Sequence, residues 1–224
     1  MLESLLELVP PEIQHRSGSV FYSGRSAFAG PSKVYLLGLN PGGSPEDQVG
    51  NTIGRNIADA VARKEDDWSA YVHERWEGAK AGAHGMQPQI QHMFGQLGFE
   101  PQHVPASNVV FVRTKGEAGL KAEKNALLDQ CWPVHAAVIE RLGVEVVLCL
   151  GMTAGRWVGE RLNADHPVAE FTETNQRGWT SQIHRNSCGQ YVAALTHPGR
   201  TNWRNPDADP TPMVYDLLSS LGIR

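Results

Sequence analysis

The chain has 224 residues, 41% of them apolar and 20% charged, with a formal charge of −4. That length fits one α/β domain, or one carrying an insertion, and no apolar run approaches the ~20 residues of a membrane-spanning helix. The acidic balance argues against a dedicated non-specific DNA binder, whose affinity comes mainly from Lys and Arg neutralising phosphates. Any nucleic-acid contact must come from a local patch, and the best candidate is C-terminal: Arg177, His184, Arg185, His197, Arg200 and Arg204. A solvated polar loop region accounts for the same residues.

Met1 to Glu12 reads as a short amphipathic helix stopped by Pro10-Pro11. Its acids, Glu3 and Glu7, stand where an export signal needs basic residues. Three widely spaced cysteines, Cys131, Cys149 and Cys188, predict reduced thiols and a cytoplasmic protein. No C-x-x-C or Cys/His pair has metal-ligand spacing, so no structural zinc or iron–sulfur site is expected.

Lys33 to Leu39 is an aliphatic, β-branched run ending at Asn40-Pro41-Gly42-Gly43, the pattern of a buried parallel strand. A helical pattern follows with Ile53, Ile57, Ala60 and Val61 on one face. The polar stretch from Arg63 to Gly85, with Trp68, Tyr71, His73 and Trp76, predicts a helical insertion whose rings form a packing face. Another helix is expected near Pro88 to Leu97, and a strand at Ser107 to Val112. Leu120 to Leu142 has helical periodicity capped by Gly143; Val144 to Leu150 is a buried strand, and Gly151 starts a helix to about Arg161. Strands near Ser181 to His184 and Gln190 to Thr196, a Pro- and Asn-rich loop, and a helix with Val214, Leu217, Leu218 and Leu221 complete the chain. Strands alternating with helices predict a single domain with a parallel or mixed sheet covered on both faces. Sites in such sheets lie at the carboxyl ends of the strands, which singles out loops 38–54, 113–119 and 196–205.

In the first loop the density of glycine and proline lets a ligand approach the backbone closely. Asn40 stands directly off the strand end with an amide able to orient water or a ligand. The loop lacks the G-x-x-x-x-G-K-[ST] and G-x-G-x-x-G phosphate patterns, while a plain structural turn stays open. His197 follows a second strand, at the same sheet edge as Asn40 if both strands are parallel. A structural histidine is the alternative reading.

Gly38-Leu39-Asn40-Pro41-Gly42 resembles the first active-site motif of the uracil-DNA glycosylase superfamily, in the G-[IM]-N-P-G form of its mismatch-specific and single-strand-selective enzymes. Gly43-Ser44-Pro45-Glu46-Asp47 through Gly54-Arg55 is similar to the thermostable branch. Thr196-His197-Pro198 resembles the second motif, usually H-P-S, and Ser107-Asn108-Val109-Val110 the strand whose asparagine reads the base. Cys131-Trp132-Pro133, then Val146 to Gly151 and Ala154, follow the same pattern. The resemblance implies an α/β fold, a three-layer α/β/α sandwich around a central, mainly parallel four-stranded sheet. It implies a DNA glycosylase that cleaves the N-glycosidic bond of uracil or a related deaminated or modified pyrimidine, acting on DNA as a monomer without a cofactor. Asn40 would position the attacking water and His197 would donate to the base oxygen. Asn108 would read the base edge in a pocket with Leu39, Pro41, Gly42 and Thr52. Ser44, Gly199, Arg200, Asn202 and Trp203 would contact DNA, whereas Trp157, Trp179, Cys131 and Cys149 are expected to pack.

The family pattern is broken in three places. Gly199 replaces the serine after His-Pro, and Asn51-Thr52-Ile53 lacks the aromatic residue that stacks on uracil. The N-terminal pair of the thermostable branch's cluster cysteines is missing, so no iron–sulfur cluster is implied. The room at Thr52 suggests a bulkier modified base as an alternative substrate. A catalytically silent base-binding module is the reading from a different class, and a nucleotide-phosphate-binding enzyme is weaker still.

Overall fold

The computed structural model describes residues 1–223. Six strands, β1 (Val34–Gly38), β2 (Ala106–Asn108), β3 (Val146–Leu150), β4 (His166–Thr172), β5 (Thr180–Arg185) and β6 (Tyr191–Leu195), form one sheet in the order β2-β1-β3-β6-β5-β4. The first four are parallel, with Leu37 opposite Cys149 and Leu150 opposite Leu195. The expected four-stranded parallel sheet is this part. An antiparallel pair, β5 and β4, extends it to six strands. β4 escapes a sequence reading because it is an edge strand with most of its side chains exposed, so it carries no apolar run.

Eight helices accompany the sheet among the described residues: α1 (Leu2–Leu6), α2 (Pro11–Gln14), α3 (Ile53–Ala62), α4 (Ala70–His73), α5 (Gln87–Leu97), α6 (Lys124–Leu142), α7 (Met152–Leu162) and α8 (Thr211–Ser220). Every residue of β1 and β3 is buried, because successive side chains point to opposite faces and both faces are covered. Tyr35, Leu37, Val147 and Cys149 join one core with α1, α6 and α7. Val34, Leu36, Leu148 and Leu150 join the other, with α5 and α8. This is the three-layer α/β/α arrangement. Cys131 and Cys149 are buried and Cys188 is exposed. Among the described residues no helix is long and apolar enough to cross a membrane.

The insertion differs from expectation. Residues 63–85 contain only the four-residue α4, and the chain there turns through positive φ at Glu77, Gly78, Gly82 and Gly85, which a helix does not tolerate. Its backbone carbonyls are satisfied by two side-chain amides of α5. Gln87 Nε2 donates to Ala70 O and Glu74 O at 2.7 and 3.0 Å, and Gln91 Nε2 to Tyr71 O and Gly82 O at 2.7 Å each. Tyr71 is buried, while Trp68 lies under the Arg63 guanidinium. Tyr71 and Trp76 meet edge to face at 6.0 Å while Trp68 packs apart, so the rings do not line one helical face.

A buried polar pair sits beneath the sheet on α6. His135 Nε2 lies 3.1 Å from Val109 O, which can only accept, so Nε2 carries the proton and Nδ1 accepts from the Tyr35 hydroxyl at 2.9 Å. Burial pulls the His135 pKa down to about 4. In the unfolded chain the imidazole regains its ordinary value and binds a proton first. Stability is therefore expected to fall as pH drops from about 6.5 to about 4, by up to about 3 kcal/mol. Urea unfolding at stepped pH measures it, and His135→Gln should flatten that part of the profile.

Candidate active site

The parallel register brings four strand ends together: Gly38 stands opposite Asn108, and Leu150 opposite Leu195. Asn40 leaves β1 two residues beyond Gly38, and His197 leaves β6 two residues beyond Leu195, with β3 between them. Two interstrand spacings separate β1 from β6, roughly 10 Å.

Asn40 is held by its nitrogen. Nδ2 donates to Thr114 Oγ1 at 3.0 Å and to Pro41 O at 3.1 Å, and Thr114 Oγ1 passes its own proton to Gly116 O at 2.9 Å. The amide plane is thereby fixed, and Oδ1 is left without a protein partner among the described residues. An anchored amide with a free oxygen can accept a hydrogen bond from water and aim its lone pair. Thr114 lies in the loop that the strand-end rule singles out, but a single threonine carries no sequence signal.

His197 is oriented by the chain immediately after it. The Gly199 N–H donates to Nδ1 at 3.0 Å; a backbone N–H only donates, so the neutral ring carries its proton on Nε2. Burial, and secondarily the nearby positive charge of Arg200, lower the His197 pKa, so the ring is neutral at pH 7. Its carbonyl accepts from the Arg200 and Thr201 N–H groups at 2.8 and 3.1 Å. Gly151 takes a φ of 111°, which side chains rarely adopt, and starts α7 beside the ring, where a Cβ would make ordinary contact at 3.5 Å from His197 Cδ2. On the other side a Cβ at residue 199 would come within 3.0 Å of Cε1. The glycine that replaces the usual serine gives the imidazole its room.

The third element is a pocket wall. Asn108 is 7% exposed, and its Oδ1 packs so close to Gly38 that a Cβ there would lie 2.1 Å away. Beside it lies the hydroxyl of Tyr22, whose pKa burial pushes up to about 12, so the phenol is neutral. The Tyr22 ring stacks on Tyr71 with centroids 5.9 Å apart. Arg113 completes the wall, donating from Nε to Ser17 Oγ at 3.1 Å and from Nη1 to the Gly42 carbonyl. Neither Tyr22 nor Arg113 is visible from spacing. Tyr22 comes from a segment before β1 that reaches the strand ends through an isolated bridge between Phe21 and Ser107.

The remaining expected residues separate into groups. Gly42 presents its carbonyl to Arg113 and Pro41 is buried at the loop root. Leu39 packs into the core and offers the site only backbone. Thr52 is committed as the N-cap of α3, accepting from Arg55 N at 3.1 Å. The Ser44 hydroxyl donates to Glu46 at 2.7 Å, a carboxylate that would repel a phosphate. Gly199, Arg200 and Asn202 are exposed on the His197 loop, with Asn202 Oδ1 accepting from Arg204 N at 3.2 Å.

Two expectations are corrected. Trp203 does not face DNA: it is 0% exposed, packed in the core with α5 and α8, with Nε1 3.4 Å from Thr196 Oγ1. Trp179, expected to pack, is 40% exposed, with Arg177 stacked over it at 4.7 Å. Arg177 in turn donates to Arg200 O at 2.6 Å and pairs with the buried carboxylate of Glu173 at 2.9 Å. The turn between β4 and β5 thus braces the His197 loop. The C-terminal basic patch divides: Arg177, Arg200 and Arg204 gather at that loop, whereas Arg185 pairs with Tyr191 at the opposite end of β6.

No curated protein matches the chain. A family model described as the uracil DNA glycosylase superfamily matches residues 27–217, a span that includes all six strands and the Asn40, Asn108 and His197 loops. Its members in general hydrolyse N-glycosidic bonds in DNA. The match covers most of the chain, and the protein belongs to the uracil DNA glycosylase superfamily.

Proposed function

We propose that the protein is a monofunctional DNA glycosylase that releases uracil, or a related deaminated pyrimidine, and leaves an abasic site. The observation that carries this reading is the pairing of an amide with a free oxygen, Asn40, and a neutral imidazole protonated on Nε2, His197, across one strand-end gap. Cleavage of the C1′–N1 bond passes through an oxocarbenium-like sugar, as in other glycoside hydrolysis. The base departs with the bonding electron pair while the water oxygen attacks C1′, and a water proton ends on the base. Water meeting a carbon already cationic needs orientation more than deprotonation, which an amide supplies. The Nε2–H of His197 donates to the base oxygen as negative charge accumulates there, and Asn108 reads the base edge.

Tyr22 supports the smaller pyrimidine over the bulkier base. The room at Thr52 that suggested a bulkier substrate belongs to a helix cap, and a tyrosine ring stands beside Asn108 instead. Arg200 and Asn202, on an exposed loop, are the groups proposed to meet the DNA backbone.

The test uses labelled oligonucleotides with uracil opposite guanine, opposite adenine and unpaired, followed by alkaline cleavage of abasic sites. Scission with wild type is the expected outcome. Binding without product on these and on bulkier modified bases would leave a silent base-binding module of the same fold. Thr114→Val removes the acceptor for Asn40 Nδ2 at nearly constant volume. It is expected to lower kcat about tenfold, equivalent to one hydrogen bond, with little change in KM.

A further inference from the structure

Arg113 raises a physical question that the Asn40–His197 pair does not answer. It is half-buried, yet its hydrogen-bond partners are the neutral Ser17 Oγ and Gly42 carbonyl, and among the described residues no carboxylate lies within ion-pair distance. The acid whose field reaches it, Glu74, accepts the Trp76 indole N–H at 2.7 Å. Buried charges are ordinarily paired, because an uncompensated one costs stability. A cation held in place by neutral groups keeps its charge available to an anion that arrives from outside.

Its position says what would bring that charge. The guanidinium bridges the Asn40 loop, at Gly42, and the N-terminal segment at Ser17, and it is close enough to Tyr22 for their charges to interact. Tyr22 lies beside Asn108. Arg113 therefore stands between the water-positioning loop and the base-reading wall. His197, being neutral, contributes a dipole to the departing base but no charge. Arg200 is exposed, where water screens its charge; Arg113 is half-buried and so less fully screened.

We infer that the guanidinium of Arg113 stabilises the anion of the departing base, as a cationic group that acts together with the neutral donor His197. The inference rests on the glycosylase reading. It assigns Arg113 more than the task of holding the Gly42 loop, and the two roles separate by leaving group. If the charge stabilises the anion, its loss hurts most when the base is a poor leaving group. If Arg113 only holds the loop, its loss hurts all bases alike.

Single-turnover release of uracil and of 5-fluorouracil from the same oligonucleotide context is the measurement, the fluorine making the anion more stable by itself. Arg113→Gln keeps an N–H donor for Gly42 and removes the charge. It is expected to slow uracil release about 100-fold and 5-fluorouracil release by no more than about tenfold. Arg113→Lys, which keeps the charge, should hold the uracil-to-fluorouracil rate ratio near the wild-type value, and it carries the comparison if Arg113→Gln melts below the assay temperature. Equal losses on both bases in Arg113→Gln, or a lysine ratio shifted by tenfold or more, would overturn the inference while wild-type turnover leaves the glycosylase reading intact. Wild-type protein that releases neither base overturns both.

Discussion

Replacing His197 by alanine is expected to slow single-turnover base release by about 10²–10³-fold, the usual cost of removing one preorganised donor from a developing anion. The ring is held for this purpose. Its Nδ1 is occupied by the Gly199 N–H, so Nε2 must be the donor, and burial keeps it uncharged. Because its pKa is lowered, protonation sets in only below the ordinary imidazole value. The wild-type rate should therefore stay level from pH 8 down to about 6.5. Below that, a second proton on Nδ1 displaces the Gly199 contact and the rate should change. His197→Ala should show no such inflection, a difference that loosening of the loop alone would not produce. Asn40→Ala should cost a similar factor, since it removes the oxygen that orients water. The double variant should lose less than the product of the two factors if both act on one transition state.

The second large effect concerns stability. Trp203→Ala should destabilise the protein by about 3–5 kcal/mol, the range for truncating a fully buried aromatic, and lower Tm by on the order of 10 °C. The indole is 0% exposed, packed with α5, α8 and β6, and it reaches Thr196 beside the His197 loop. Below the melting transition, affinity for undamaged DNA should be unchanged. A large loss of affinity with little loss of stability would instead return the indole to the DNA surface. Arg200→Ala is the natural contrast, with negligible effect on Tm and weaker, less salt-dependent binding.

The elements that were legible in the sequence are those with a local signature. β1 and β3 are runs of aliphatic residues because both faces are covered, and Gly143 marks a helix end through backbone chemistry that needs no partner. Asn40, Asn108 and His197 were findable because each sits at or just beyond the end of such a strand. What failed had no local signature. β4 is an exposed edge strand held by pairing with β5. Residues 63–85 carry aromatic spacing that suits a helix, but their backbone is satisfied by Gln87 and Gln91 from elsewhere in the chain.

Trp203 shows the limit most clearly. A tryptophan in a loop rich in Pro and Asn looks exposed, and only the packing of α5 and α8 around it makes it core. Tyr22 and Arg113 are the converse, an aromatic and a cation in segments without periodicity, drawn to the strand ends by bridges to residues some 85 to 95 positions away.

By itself the sequence determined the family, the alternating α/β order and the two loops that bear Asn40 and His197, because these follow from periodicity, turn chemistry and short motifs. Only the tertiary structure decided which nitrogen of His197 carries its proton, what anchors Asn40, and which ring and which cation stand beside Asn108 and the Asn40 loop. Those depend on hydrogen bonds and burial between segments far apart in the chain, and such contacts exist only once the sheet has brought its strand ends together.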